Sequence, residues 1–282
     1  MRRILLTGAT GFVGKQVLKS LAKEDVSIRV ITRGTHDHFF AQYKNILEVI
    51  QTNNLFTESN IWYEEVCQDV DIIIHVAWYA EPGKYLESPL NLECLAGTLN
   101  FAKSACKQGV KKFVGVGTCF EYDLTNSSPL DINAPLNPQF LYSIAKVNAF
   151  LLLSKYFKNE NIDFLWTRIF YLYGEDEDER RLVAVLRKKL PLGEPVDLTS
   201  GTQIRDFMDV KIAGSMIASA AMGMNVGPFN VCSGEGQSIR ELAENIADEY
   251  GKKELLNFGA REDNLADAPY VVGLKTKILD AP

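Results

Sequence analysis

Tyr142 and Lys146 stand four residues apart in a strongly helical stretch, so both project from one helix face. A tyrosine with its ordinary pKa of about 10 is a poor base at neutral pH, and a neighbouring ammonium is expected to lower it. Thr118 closes an apolar strand, the position where ligands sit in parallel sheets, and its hydroxyl can reach the same substrate oxygen as the tyrosine. Hydroxyl, phenol and ammonium together suit proton transfer at that oxygen.

A second set of residues suits an anion. Gly8-Ala9-Thr10-Gly11-Phe12-Val13-Gly14 falls between the first strand and the first helix. Glycine lets the backbone turn tightly and approach a diphosphate, and the helix N-terminus offers free N–H groups. Gly8, Thr10, Gly11, Phe12 and Val13 are therefore read as cofactor-binding, joined by Ala77, Tyr142 and Lys146. An NAD site usually carries an acidic residue about 20 positions further on, to hold the ribose 2′-hydroxyl. Here the second strand ends Ile31-Thr32-Arg33-Gly34 with no carboxylate. The Arg33 guanidinium can pair with a 2′-phosphate, so the expected cofactor is NADP, with NAD the alternative.

Elements of regular spacing must position these groups. Apolar runs read as strands at Arg3–Thr7, Ser27–Thr32, Val70–Val76, Lys112–Gly117 and Phe164–Phe170. Helical patterns lie between them, among them Leu92–Lys107 and Tyr142–Phe157. Strands spaced by helices of this length imply right-handed crossovers and an α/β, Rossmann-type doubly wound parallel sheet. After Gly174 the pattern changes: Leu182–Lys189 reads as a helix, Gln203–Met208 as one short strand, and Ser238–Tyr250 as a helix opened by a Ser238/Glu241 capping box. Residues 1–173 are read as the NAD(P)-binding domain, with 211–231 returning to it, and 174–282 as a smaller substrate-binding lobe.

Composition narrows the function classes. A chain of 282 residues with 46% hydrophobic and 23% charged residues is neither disordered nor fibrous, and no apolar run approaches the roughly 20 residues of a membrane span. A net charge of −6 gives no bulk field for nucleic acid or anionic lipid, so neither is expected as a partner. Five cysteines without a Cys-x-x-Cys pair suggest neither a disulfide framework nor a metal site, and fit a cytoplasmic protein.

Taken together, Gly8/Gly11/Gly14, Thr118, Tyr142/Lys146 and Arg168…Tyr173-Gly174 resemble the extended short-chain dehydrogenase/reductase family, within its nucleotide-sugar epimerases, dehydratases and ketoreductases. Gln203-Ile204-Arg205-Asp206-Phe207 and Asn230-Val231-Cys232-Ser233-Gly234 carry the resemblance into the small lobe. It implies Tyr142 as acid/base, Lys146 as holder of the nicotinamide ribose, and Thr118 as the group that orients the substrate. It also implies Arg205 and Arg261 as contacts to the nucleotide diphosphate of a nucleotide-sugar substrate, and it allows a homodimer. The Asp-Glu that 4,6-dehydratases carry after the threonine is Cys119-Phe120 here, which argues against 4,6-dehydration. The implied activity is NADPH-dependent reduction of a keto group on a nucleotide-linked deoxysugar, with a nucleotide-sugar 4-epimerase as the alternative.

The remaining candidates carry two readings each. Cys119 is similar in place to the epimerising cysteine of GDP-fucose synthases, or is a small buried thiol. Tyr171 occupies the place of the family's usual asparagine and is counted, with Cys119, Tyr79, Arg205 and Arg261, among the substrate-binding residues. Trp78-Tyr79 lines the pocket or belongs to an aromatic core. His75 is read as a core histidine, His36-Asp37-His38 as an exposed loop, and Glu175–Arg181 as a solvated charge run.

Overall fold

Ile4 and Leu6 face one side of the first strand and Leu5 the other, and all three are fully buried, so this strand needs cover on both faces. A computed structural model describes residues 1–264 and 267–280. Residues 265, 266, 281 and 282 of the expected small lobe lie outside the described residues, as does the Asp37 side chain of the His36-Asp37-His38 motif.

The first half runs β1 (Arg2–Thr7), α1 (Phe12–Leu21), β2 (Val26–Thr32), the short α2 (Asp37–Phe40), β3 (Ile46–Gln51), α3 (Asn60–Val66) and β4 (Ile72–His75). It continues through α4 (Leu90–Lys107), β5 (Lys112–Thr118), α5 (Leu141–Glu160) and β6 (Asp163–Ile169). The second half holds β7 (Tyr171–Tyr173), α6 (Leu182–Lys189), β8 (Val196–Leu198), β9 (Ile204–Arg205), β10 (Phe207–Asp209), α7 (Val210–Met222) and β11 (Gly227–Val231). Then come β12 (Gln237–Ser238), α8 (Ile239–Tyr250), β13 (Leu256–Phe258) and β14 (Tyr270–Val271).

The main sheet has seven strands in the order β11-β6-β5-β4-β1-β2-β3, every neighbouring pair parallel. Chain order reverses between β1 and β4, which opens a crevice at their C-terminal ends. One face is covered by α1 and α7, whose Val17, Leu18, Ala213 and Ile217 join Ile4, Leu6 and Val30. The other face is covered by α3, α4 and α5, with Tyr63, Phe101, Ala149 and Phe157 against Ile73, Phe113 and Trp166. A separate apolar cluster of Val183, Leu186, Val196, Leu198, Leu242 and Ile246 joins α6, β8 and α8. The reciprocal capping box of Ser238 and Glu241 is present at the start of α8, which ends on Gly251 at φ +61°.

Three local readings change. Gln203–Met208 is two strands rather than one, because β9 pairs with β12 and β14 while β10 pairs with β7. The break falls at Asp206, a fully buried carboxylate that accepts from the Ser233, Gly234 and Gly273 amides at 2.7, 2.9 and 3.2 Å. The Val70–Val76 run contains only a four-residue strand. The edge strand β3 and the short α3 were not anticipated: Leu47 and Glu48 are exposed on β3, and α3 rests on a Ser59 side-chain cap.

Candidate active site

The glycine turn meets the end of β4 closely. Gly8 has φ +73°, and a Cβ there would come within 2.8 Å of the Ala77 amide nitrogen. A Cβ on Gly14 would fall 1.9 Å from the Gly8 carbonyl oxygen, so the first turn of α1 is laid directly onto the loop. Gly11, the N-cap of α1, makes no side-chain cap, and the first turn carries no acidic residue. The N–H groups of that turn thus face a cradle of small residues, the arrangement that accepts a diphosphate. The residues present fit a dinucleotide. The Thr7 hydroxyl accepts from the Ala77 amide at 3.2 Å and lies 2.9 Å from His75 Nδ1, tying the tips of β1 and β4 together. His75 is buried, lies 3.0 Å from Thr98 through Nε2, and is held neutral down to about 3 by burial and the nearby Lys146.

Arg33 stands exposed immediately after β2, and its carbonyl oxygen lies 3.0 Å from His36 Nε2. His36 also packs edge-on against Phe40. The 175–181 run is a surface loop, but it is tied to α1 by ion pairs from Lys15 to Asp176 (2.8 Å) and from Lys19 to Glu175 (2.6 Å). Arg181, from the same run, lies 6.0 Å from the Phe12 ring centre.

At the other side of the crevice, α5 presents Tyr142 and Lys146 together, both buried. The Lys146 ammonium donates to the Val116 carbonyl at 2.6 Å and sits 3.7 Å from the centre of the Trp78 ring. Burial pulls its pKa down to about 7, with Cys94 and the Glu121 carboxylate nearby opposing the fall. Tyr142 departs from expectation. Burial raises its pKa, reinforced by Tyr85, Glu121 and Cys119, while a hydrogen bond with Thr118 opposes the rise. Lys146 lies 5.8 Å from the Tyr142 ring centre, with its ammonium bonded to the Val116 carbonyl, and burial outweighs it. Tyr142 is therefore protonated at neutral pH.

Thr118 ends β5 and caps the short helical turn Cys119–Glu121, its hydroxyl accepting from the Phe120 amide at 3.3 Å. Cys119 is buried, and its thiol is pushed up to about 12 by burial, with Arg205 opposing. Arg205 is buried as well, its guanidinium 5.3 Å from the Tyr171 ring centre. Burial also raises the Tyr171 pKa, helped by Cys119. Cys119 lies near Tyr142, and Tyr171 and Arg205 lie near Cys119. Tyr79 is set apart on the loop after β4 and donates to Glu81 at 3.2 Å. Arg261 is exposed beyond β13, bonded through its amide to the Leu198 carbonyl at 3.0 Å.

Sequence reading missed two participants. Tyr85 packs edge-on against Tyr142 with ring centres 4.8 Å apart. Glu121 lies buried under Thr118, and the Thr-x-x-Glu spacing of a capping box was the signal that pointed to it.

A parallel sheet in this order, a glycine cradle at its switch point and a buried Tyr/Lys pair beside it define an NAD(P)-dependent enzyme of the extended short-chain dehydrogenase/reductase type. The chain belongs to the NAD dependent epimerase/dehydratase family, whose model matches residues 4–232. It is 27% identical over 261 residues to the dTDP-6-deoxy-L-talose 4-dehydrogenase (NAD(+)) of Aggregatibacter actinomycetemcomitans, covering 89% of this chain and 91% of that one. It is 25% identical over 261 residues to a putative UDP-glucose 4-epimerase of Methanocaldococcus jannaschii, covering 88% and 82%. Its fold matches the UDP-N-acetylglucosamine 4-epimerase of Methanobrevibacter ruminantium M1, solved with UDP-N-acetylmuramic acid, at a TM-score of 0.85 and 20% identity over 98% and 90% of the two chains.

Proposed function

We propose that this protein reduces a keto group on a nucleotide-linked deoxysugar with NADPH. The observation that carries the reading is the buried pair on α5, Tyr142 with Lys146 5.8 Å from its ring centre, set beside Thr118 at the end of β5. A neutral phenol can give a proton to a carbonyl oxygen as that oxygen gains negative charge. A bound nicotinamide supplies the hydride. Tyr142 delivers the proton, Thr118 donates to the same oxygen and fixes its direction, and Lys146 holds the nicotinamide ribose through its ammonium. Gly8, Thr10, Gly11, Phe12, Val13 and Ala77 cradle the diphosphate, and Arg33 meets the 2′-phosphate. Arg205, Tyr171, Cys119 and Tyr79 line the sugar-nucleotide side, with Arg261 reaching the nucleotide from the small lobe of 174–282.

The similarity to a 4-dehydrogenase of a nucleotide-linked 6-deoxysugar supports this substrate class, since keto reduction is that chemistry run in reverse. The similarity to a putative 4-epimerase supports a second reading, in which hydride leaves the sugar and returns to its other face. Cofactor stoichiometry separates the two. With a nucleotide-4-keto-6-deoxysugar and NADPH deuterated at the transferred position, a reductase places one deuterium on the carbonyl carbon for each NADPH oxidised. Interconversion of two nucleotide sugars without added reductant or label would assign the epimerase instead.

A further inference from the structure

Glu121 has 0% exposure and sits directly beneath the reacting groups. Its carboxylate accepts from the Thr118 amide at 2.9 Å, from the Trp166 indole at 3.0 and 3.1 Å, and from Arg168 Nε at 2.7 Å. Arg168, 1% exposed, lies between the Tyr122 and Phe150 rings at 4.7 Å from each and donates to the Tyr122 hydroxyl at 3.1 Å. Tyr122 donates in turn to Asn230 at 2.6 Å, which ties the chain of bonds to β11. A buried ion pair contributes little net stability, because desolvation offsets most of the attraction. Its placement points to another role.

We infer that Glu121 is a positioning residue of the site, fixing Thr118 through the amide bond and setting, by its buried charge, the electrostatics in which Tyr142 and Lys146 act. The inference rests on the reading of Tyr142 and Lys146 given above. The geometry is reciprocal: the Thr118 side chain caps the turn that carries Glu121, and Glu121 caps the Thr118 amide. A displaced carboxylate therefore displaces the Thr118 hydroxyl. The charge has few competitors. Facing Lys146 are Cys94 from α4, His75 from β4, Glu121, Tyr142 and the Trp78 and Trp166 rings. Facing Tyr142 are Tyr85, Cys119, Glu121, Thr118, the Trp78 ring and Lys146 itself. Cys94, Cys119 and Tyr85 are all kept neutral by burial, and His75 is neutral too, so the fixed charges here are the Glu121 carboxylate and the Arg168 guanidinium paired with it at 2.7 Å. The carboxylate favours the protonated form of both Tyr142 and Lys146.

The test is the pH dependence of cofactor affinity, followed by NADPH fluorescence between about pH 5 and 9, alongside turnover. Wild-type affinity should fall as pH rises through the titration of Lys146. In Glu121→Gln the midpoint of that fall should move down by about half a pH unit or more, as expected when a buried charge beside the group is removed. Glu121→Asp keeps the charge but shortens the arm to Thr118, so its midpoint should stay near wild type while turnover drops. If Glu121→Gln fails to fold because Arg168 is left unpaired, Glu121→Asp, which keeps the pair, carries the test through its loss of turnover at an unmoved midpoint. An unmoved midpoint in Glu121→Gln, wild-type turnover in Glu121→Asp, or wild-type affinity independent of pH overturns the inference. Absence of wild-type turnover on any nucleotide sugar would instead overturn the functional reading and leave the midpoint comparison intact.

Discussion

The Lys146 ammonium lies over the Trp78 ring, 3.7 Å from its centre, and the indole N–H is itself anchored by the Asn91 side chain at 2.8 Å. Asn91 is fully buried and donates to the Tyr85 and Ser88 carbonyls at 2.7 and 2.9 Å. One aromatic ring thus joins the ammonium to the loop that lays Tyr85 against Tyr142. A desolvated cation–π contact is worth about 2 kcal/mol. Trp78→Leu should therefore weaken cofactor binding by about tenfold or more. Trp78→Phe keeps a π face but leaves the Asn91 oxygen unsatisfied, so it should cost about 1–3 kcal/mol of stability with the smaller loss of affinity. Calorimetric titration and urea unfolding separate the two; equal affinities in Trp78→Leu and wild type would deny the ring its role.

The same burial makes a prediction about stability and pH. The Lys146 pKa falls from its ordinary 10.5 to about 7 in the folded protein. Between those values the unfolded chain binds a proton that the folded chain does not, so stability contributed by this group rises with pH. The penalty is complete below about 7 and is relieved as pH climbs toward 10.5, by about 1.4 kcal/mol per unit. Lys146→Met removes it. The variant should be more stable than wild type at pH 6.5, with the gap closing by pH 9.5. Urea unfolding at both values checks this, and a constant gap would mean the lysine is charged throughout. Lys112, whose pKa burial lowers to about 8, titrates in the same window and is cancelled by the comparison.

Tyr142 is expected to act as the proton donor, and removal of its hydroxyl tests that alone. Tyr142→Phe should keep cofactor affinity near wild type and cut turnover by about 10²–10⁴. The ring packs edge-on against Tyr85, so its loss of one oxygen leaves the aromatic contact in place. Stopped-flow or steady-state turnover with the reduced cofactor measures the effect. Near-normal turnover would transfer the acid role elsewhere.

The parts of the site legible in sequence were those whose chemistry is written within a few residues. The glycine turn from Gly8 to Gly14 and the four-residue step from Tyr142 to Lys146 are local, and each needs only one strand or helix to be placed. The alternating strands of the parallel sheet were legible for the same reason: full burial leaves a continuous apolar run, as in Ile72–Ile74. What stayed hidden depends on distant partners. Glu121 acquires its role from Arg168, 47 residues away, and from Trp166. Asp206 splits its strand because it satisfies amides at Ser233 and Gly273, which no local pattern announces. The Tyr142 phenol is raised rather than lowered because its burial, set by Tyr85 and the strands beneath, outweighs the lysine one turn along the helix.

Arg33 is the residue on which the proposed choice of NADPH turns. It follows β2 at the position where a carboxylate would grip a ribose 2′-hydroxyl, and it is exposed. A charge-assisted bond from arginine to a phosphate contributes about 1.5–3 kcal/mol, and an aspartate in its place would repel the same group. Arg33→Asp should lower NADPH affinity at least about tenfold while NADH affinity holds or improves. The position is on the surface and outside the Tyr142–Lys146 pair, so the fold and the proton donor are undisturbed. Parallel titrations of NADPH and NADH against wild type and variant give the answer, and equal changes for the two would remove Arg33 from the reading of the 2′-phosphate.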